Sequence, residues 1–243
     1  MLKPIWIYQL RRAKFSNFVS IFVSTFNIKN IKKSFKKLFK ISIKERTIQK
    51  QFDLIYSDFH HRFNLDSALN VNIIQYVNNK PARLNKFEVW KIVIQEFGNI
   101  FRSLQPKSIL ELGSGTGKNI LSLAAMLPIN KCVGLELAPN GVQLSKELKN
   151  DPPLDFLRYI TMADKEGIRE KLKNTQIEFI QGDMRDLSLF PDNSFDVVFS
   201  YAAVELISKD YDQVFKEVYR VTKKYAVFYE GFNEYNSIIQ QIY

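Results

Sequence analysis

Three glycines stand at alternate positions in residues 109–117, ILELGSGTG: Gly113, Gly115 and Gly117, with Ser114 between the first two and Glu111 two residues ahead. Glycine permits positive φ and leaves no side chain between the backbone and a ligand, and a helix start behind such a turn offers unpaired N–H groups. That is the chemistry of holding a nucleotide. The spacing G-x-G-x-G differs from the dinucleotide pattern G-x-G-x-x-G, and Lys118 is followed by Asn119 where a phosphate loop needs Ser or Thr. Which nucleotide is held therefore depends on residues further along.

Three more groups follow. Glu136, with Leu137 beside it, comes 23 positions after Gly113, where a carboxylate can accept hydrogen bonds from both hydroxyls of a ribose. Asp183, in QGDMRDL, can accept from an exocyclic purine amine, and Met184 offers apolar cover. Ser200 and Tyr201, in FDVVFSYAAVELI, stand where a reactive group would sit, and a hydroxyl nucleophile would need a base. Glu205 is one candidate, with Tyr201 beside it; His60 and His61 are others. Each residue has a structural alternative: Glu111 as a strand acid, Glu136 as a solvated strand end, Asp183 as a turn former, Tyr201 as core, Glu205 as a solvent-facing helix start. The functional reading is favoured because all recur at one edge in the right order.

The elements that position them alternate in the βα manner of a parallel sheet. An apolar run from Ile109 leads through the glycine turn into a helix carrying Ile120, Leu121, Leu123, Ala124 and Leu127. Strands are expected at 132–137, 177–180, 195–200 and 225–229, with helices from about Asn140 and up to Tyr219. In a doubly wound sheet the crevice opens at the carboxyl ends of the strands, where all the candidate residues fall. The stretch 151–174 belongs to the opposite edge and is expected to have no catalytic role. Ahead of the sheet, Phe87, Trp90, Ile94, Phe97, Phe101 and Leu104 form one stripe of a helix over 84–104, and residues 45–105 read as helical throughout.

Of 243 residues, 46% are hydrophobic and 25% charged, which fits a globular protein and excludes disordered or collagen-like classes. The single cysteine, Cys132, cannot form an internal disulfide, and a reducing compartment is the simpler expectation. The net charge of +10 sits at one end: residues 1–50 carry 13 Lys or Arg against Glu45 alone, and the rest carry 22 against 24 acids. Residues 28–39 space Ile28, Ile31, Phe35, Leu38 and Phe39 at three and four with lysines between them, a basic amphipathic helix. Such helices lie on anionic membrane surfaces, so contact through residues 28–44 is expected. Packing on the protein's own domain is the close competitor, and nucleic acid is the least favoured partner. No apolar run is long enough to span a bilayer, and the start does not read as a cleaved signal. The expected location is cytoplasmic, peripheral on the inner face of a membrane. The expected organisation is a basic segment at 1–44, a helical cap at 45–105 and a nucleotide-binding domain at 106–243.

With ILELGSGTGKN, VGLELAPN, IQGDMRDL and FPDNSFDVVFS in place, the chain resembles the class I S-adenosylmethionine-dependent methyltransferases over about residues 107–232. The resemblance implies a Rossmann-like α/β sheet and S-adenosyl-L-methionine as cofactor. It places Gly113, Gly115 and Gly117 beside the amino-acid part of the cofactor, Glu136 on its ribose, and Asp183 with Met184 at its adenine. Glu111, Ser114, Leu137 and Ser200 complete the expected cofactor set. The acceptor implied is a small molecule, lipid or glycan precursor. Several positions depart from the family pattern. Leu206 stands where many relatives carry His, Thr222-Lys223-Lys224 replaces a Pro-Gly-Gly turn, and SYAA is not the Asn-Pro-Pro-Tyr type. Only 14 residues follow Tyr229, so about five strands are expected, with the fifth at an open edge. The rival readings are a nicotinamide-linked oxidoreductase and a cofactor-binding or membrane-tethered protein without turnover.

Overall fold

The computed structural model describes residues 2–9, 18–24, 49–50, 72–77, 80–207 and 210–230. Strands β1 (Leu2–Gln9) and β2 (Phe18–Ser24) come first. Then come β3 (Asn72–Val77), β4 (Lys80–Asn85) and helix α1 (Lys86–Leu104). The alternating part runs β5 (Ser108–Leu112), α2 (Lys118–Met126), β6 (Lys131–Glu136) and α3 (Pro139–Asn150). After α4 (Leu154–Thr161) and α5 (Lys165–Asn174) come β7 (Gln176–Gln181), β8 (Phe195–Tyr201), α6 (Tyr211–Val221) and β9 (Thr222–Tyr229).

The sheet order is β2-β1-β9-β8-β5-β6-β7, and the five strands β5 to β9 pair in parallel. From β5 the chain winds outward through β6 to β7 and then returns to β8 on the other side. The strand order thus reverses between β5 and β8, and a doubly wound sheet binds its ligand at that reversal. The inner strands β5, β6 and β8 were legible because a parallel strand buried on both faces must be apolar on both.

Alternation along β5 divides the core. Ile109 packs toward α1, α2, α4 and α5, together with Phe97, Phe101, Leu123 and Leu157. Leu110 and Leu112 pack on the other face, with Leu187, Phe190 and the α6 residues Val214, Val218 and Val221. Glu111 takes the Ile109 side, toward α1 and α2. The expected helix over 84–104 is α1, which starts where Asn85 accepts a hydrogen bond from the Phe87 N–H at 2.8 Å. It ends at Gln105, in the left-handed conformation just ahead of Pro106. The link 151–174 forms the two helices α4 and α5.

Two expectations are corrected. Residues 45–105 are not helical throughout, because β3 and β4 pair antiparallel from Asn72↔Asn85 to Val77↔Lys80. The β-branched and aromatic content of NIIQYV outweighs the helical pattern around it. Nor is β9 an open edge: β1 pairs with it antiparallel, from Trp6↔Phe228 to Gln9↔Tyr225, and β2 pairs with β1. A segment some two hundred residues away in sequence fills the edge, so the strand pattern around β9 could not announce it. The expected amphipathic helix at 28–39, and His60 and His61, lie outside the described residues.

Candidate active site

The turn after β5 needs its glycines. Gly113, Gly115 and Gly117 adopt φ of 68°, 56° and 75°, the left-handed region that other residues enter at a cost. The N–H groups of Gly113 and Ser114 both donate to the Leu135 carbonyl, at 2.8 and 3.0 Å, tying the turn to β6. A Cβ on Gly113 would overlap Ala203 Cβ and come within 3.6 Å of Met184 Cε. A Cβ on Gly117 would lie 2.5 Å from Phe179 Cζ and 2.8 Å from Ser145 Cβ. The first absence admits the turn that follows β8; the second lets α2 close on the sheet. Behind the turn, α2 begins at Lys118, so that its N-terminus lies next to the glycines.

Glu111 is fully buried, and its Oε1 accepts from Asn119 Nδ2 at 2.6 Å. Asn119 Oδ1 in turn accepts from Trp90 Nε1 at 2.8 Å, a link from β5 through α2 to α1. Glu111 Oε2 has no hydrogen-bond partner. Burial pushes this carboxyl well above the usual carboxylate range, against the pull of Asn119 and with some help from the nearby charge of Glu136. A buried carboxylate oxygen without a donor is costly, and an ammonium group or an ordered water would satisfy it.

Glu136 ends β6 and turns its carboxylate back to the glycine turn. Oε2 accepts from the Gly115 N–H at 2.8 Å and Oε1 from the Ala138 N–H at 2.9 Å. Leu137, half-buried, follows it and offers its carbonyl to Gln181 Nε2 at 3.4 Å. Asp183 is held from both sides by Arg185, whose Nε lies 3.0 Å from each carboxylate oxygen and whose backbone N–H donates to Oδ1 at 2.9 Å. The guanidinium holds the Asp183 carboxyl below its usual range. Arg185 also reaches within 3.7 Å of Asp210, ahead of α6.

The end of β8 departs most from expectation. Ser200 is fully buried, and its hydroxyl donates to Glu230 Oε1 at 2.6 Å, with the Leu112 carbonyl a second acceptor at 3.3 Å. Its one proton is thus committed inside the sheet, and Ser200 supports the edge instead of lining the mouth. Tyr201 packs edge-on against Phe97 and Tyr229, at centroid distances of 6.4 and 5.3 Å. Burial, with the charges of Glu205 and Glu230, raises its phenol well above the usual range, so the phenol keeps its proton. Ala202 turns through a φ of 52°, and a single 3-10 turn, Val204–Leu206, carries the half-buried Glu205.

The structure thus gathers Gly113, Ser114, Gly115, Gly117, Glu111, Glu136 and Met184 around one turn, with Asp183 at the end of the neighbouring strand. Sequence reasoning missed Glu230, Arg185 and the Trp90–Asn119 link. Of these, Arg185 alone left a local signal, an Arg two residues after an Asp in a loop.

A doubly wound sheet, a left-handed glycine turn at the strand-order reversal and acids ending two further strands define a nucleotide-binding α/β domain. Residues 110–229 match the family model described as a methyltransferase domain, and this part of the chain belongs to that family of class I S-adenosylmethionine-dependent methyltransferases. The match sets aside the nicotinamide reading. The sterol 24-C-methyltransferase of Aspergillus fumigatus is 31% identical over 120 residues, 49% of this chain and 26% of that protein. The tRNA (guanine-N(7)-)-methyltransferase of Oenococcus oeni is 32% identical over 89 residues, 36% of this chain and 40% of that protein. The chain therefore aligns with well under half the length of either. Among solved structures, a putative S-adenosylmethionine-dependent methyltransferase from Methanococcus maripaludis is 16% identical, with a TM-score of 0.49 over 79% of this chain and 68% of that one.

S-adenosylmethionine is the cofactor of this family, and the residues present fit it. The unpaired buried Glu111 Oε2 is suited to its ammonium, and the Glu136 carboxylate, an acceptor held beside the glycine turn, is suited to hydroxyls. Among the described residues, no group of three or more His, Cys, Asp or Glu could hold a metal ion.

Proposed function

We propose that this protein transfers a methyl group from S-adenosylmethionine to a small-molecule or lipid acceptor at the carboxyl edge of its sheet. The observation that carries the reading is Glu111: a buried carboxylate with one oxygen lacking a donor, beside three left-handed glycines. When bound, the sulfonium supplies an electrophilic methyl group, and the protein's share of the work is placement and exclusion of water. In this reading Gly113, Ser114, Gly115 and Gly117 flank the amino-acid part. Glu111 faces the ammonium through its open oxygen, Glu136 and Leu137 take the ribose, and Asp183 with Met184 take the adenine. Arg185 keeps Asp183 charged, so that it accepts from an amine. Glu205 is the candidate acceptor for a proton released by a hydroxyl or amine, and Tyr201 is a candidate donor beside it.

The sterol methyltransferase relative and the basic amphipathic residues 28–44 support a lipid acceptor met at an anionic membrane surface. Among the described residues, no helix is long and apolar enough to cross a membrane. The domain reading is a basic segment at 1–44, of which residues 2–9 and 18–24 add two strands to the sheet of the cofactor domain at 106–243, and a cap and sheet-covering part at 45–105. The test is calorimetry of the full chain with S-adenosylhomocysteine, then labelled-methyl transfer to lipid and polar fractions of cell extract. Micromolar binding and label in one fraction are expected; absence of binding refutes the reading. Binding without transfer to any fraction would favour a cofactor-binding protein without turnover. Loss of flotation with anionic liposomes is expected when Lys32, Lys33, Lys36, Lys37 and Lys40 are all replaced by Gln, which leaves β1 and β2 in place, and equal flotation of both forms rejects the membrane contact.

A further inference from the structure

Glu230 follows β9 and is buried, and none of the described basic side chains forms an ion pair with it. Its partners all belong to the end of β8 and the turn beyond. Oε1 accepts from Ser200 Oγ at 2.6 Å and from the Ala203 and Val204 N–H groups at 3.2 Å each. Oε2 accepts from the Glu205 N–H at 3.1 Å. Three successive backbone N–H groups and a hydroxyl thus converge on one carboxylate, at the point where Ala203 closes over Gly113. Further ties in this bend are the Ala202 N–H to the Tyr229 carbonyl at 2.9 Å and, within the turn, the Leu206 N–H to the Ala203 carbonyl and the Ile207 N–H to the Val204 carbonyl, both at 3.1 Å.

We propose that Glu230 is a positioning residue that seats the Ala203–Glu205 turn against the glycine turn, and that it does so as a carboxylate, loosening the turn when it takes up a proton. A carboxylate can accept all four bonds, whereas a neutral carboxyl must turn one O–H toward a donor and loses at least one of them. Burial, and then the charge of Glu205, push the Glu230 carboxyl up to about 7, against the pull of Ser200 and the backbone donors. The titration therefore falls in the neutral range. The other titratable groups facing it among the described residues are Tyr201 on β8, Glu205 on the turn and Tyr229 on β9. Glu96 on α1 acts in turn on Tyr229. Both phenols are raised by burial and stay neutral across this range. From β5 it is the Leu112 carbonyl that meets Ser200.

The inference rests on the proposed cofactor site only for its effect on binding, so the first experiment needs no ligand. Hydrogen exchange of the full chain between pH 5.5 and 8.5, corrected for the intrinsic pH dependence, should show protection of residues 202–206 rising roughly tenfold through pH 7. Glu230→Gln should lose that protection at every pH. Glu205→Gln should move the midpoint to lower pH, by removing a like charge, and Ser200→Ala should move it up, by removing a donor. Calorimetry with S-adenosylhomocysteine should then show affinity rising several-fold through the same range in the wild type and rising less in Glu230→Gln, the remainder following Glu111. Protection independent of pH in the wild type, or unchanged in Glu230→Gln, overturns the inference. If Glu230→Gln does not fold, the opposite midpoint shifts of the Glu205 and Ser200 variants decide instead, and fixed midpoints overturn it. Absence of S-adenosylhomocysteine binding at any pH refutes the proposed function and leaves the exchange result standing.

Discussion

Trp90 on α1 donates its indole N–H to Asn119 on α2 at 2.8 Å, and the other end of that amide donates to Glu111 on β5. The bond fixes which way the amide faces, since its oxygen must accept from Trp90 and its nitrogen must then donate to Glu111. One face of the indole also carries Lys118 Nζ, 3.9 Å from the ring centroid, and its edge meets Phe156 at 5.5 Å. An aromatic stripe that covers the sheet thus also orients the carboxylate beside the glycine turn. Packing and the orientation of Glu111 share one residue.

Trp90→Phe keeps an aromatic ring against Phe87 and Phe156 but removes the donor to Asn119. A single hydrogen bond is worth about 0.5–1.5 kcal/mol, so a modest fall in unfolding midpoint is expected. Affinity for S-adenosylhomocysteine should fall by more than stability does, because the amide is then free to turn its oxygen toward Glu111. Calorimetry beside denaturant unfolding checks this, and unchanged affinity would remove Trp90 from the site.

Glu111→Gln separates stability from binding. The folded protein raises this carboxyl above its unfolded value, so between the two values the folded state holds the proton more firmly and stability falls as pH rises. The Gln variant is therefore expected to be more stable than the wild type at pH 8, with the gap closing toward pH 4.5. In the proposed arrangement it should bind S-adenosylhomocysteine at least tenfold more weakly, having lost the carboxylate set against the ammonium. Thermal unfolding across this pH range reads the first effect and calorimetry the second.

The parallel core was legible because apolar runs separated by amphipathic stretches dictate a doubly wound sheet, and strands buried on both faces admit little else. The glycine turn was legible for a local reason: three positive φ angles within five residues require that residue type. Glu136 was placed at the turn for the reason expected, the end of the adjacent strand, although its carboxylate already accepts two backbone donors. Ser200 and Glu230 were not legible as a pair, because 30 residues separate them and only the β8–β9 pairing joins them. The β1–β9 pairing is more remote still. The β3–β4 pair was obscured by a helical pattern on both sides of it, and the strand preference of NIIQYV was the signal to weigh against that pattern.

Arg185→Ala tests whether Asp183 acts as a fixed acceptor. The pair is partly exposed, with side-chain accessibilities of 45% and 30%, so screening limits its worth to less than about 1 kcal/mol of stability. Because Asp183 is held below its usual range, that contribution is present at neutral pH and is lost as the pH falls through the folded value. Unfolding midpoints of wild type and variant should differ slightly at pH 7 and converge below about pH 4. Affinity for S-adenosylhomocysteine should drop several-fold at neutral pH. A variant that binds as the wild type does would show that the adenine is read without Asp183.

Gly113→Ala meets two obstacles, the φ of 68° and the Ala203 methyl in the space its Cβ would occupy. Left-handed backbone at a non-glycine residue costs about 1–3 kcal/mol, and the overlap adds to it. Ala203→Gly removes the overlap and leaves the backbone cost, so the double variant should recover part of the lost stability but not all. The non-additivity measures the contact, since additive effects are the rule for residues that do not touch. Denaturant unfolding of the four proteins in the cycle gives the coupling directly. Additive effects of the two substitutions would mean that Ala203 does not close over Gly113, and the turn after β8 would then lie further from the glycines than this structure places it.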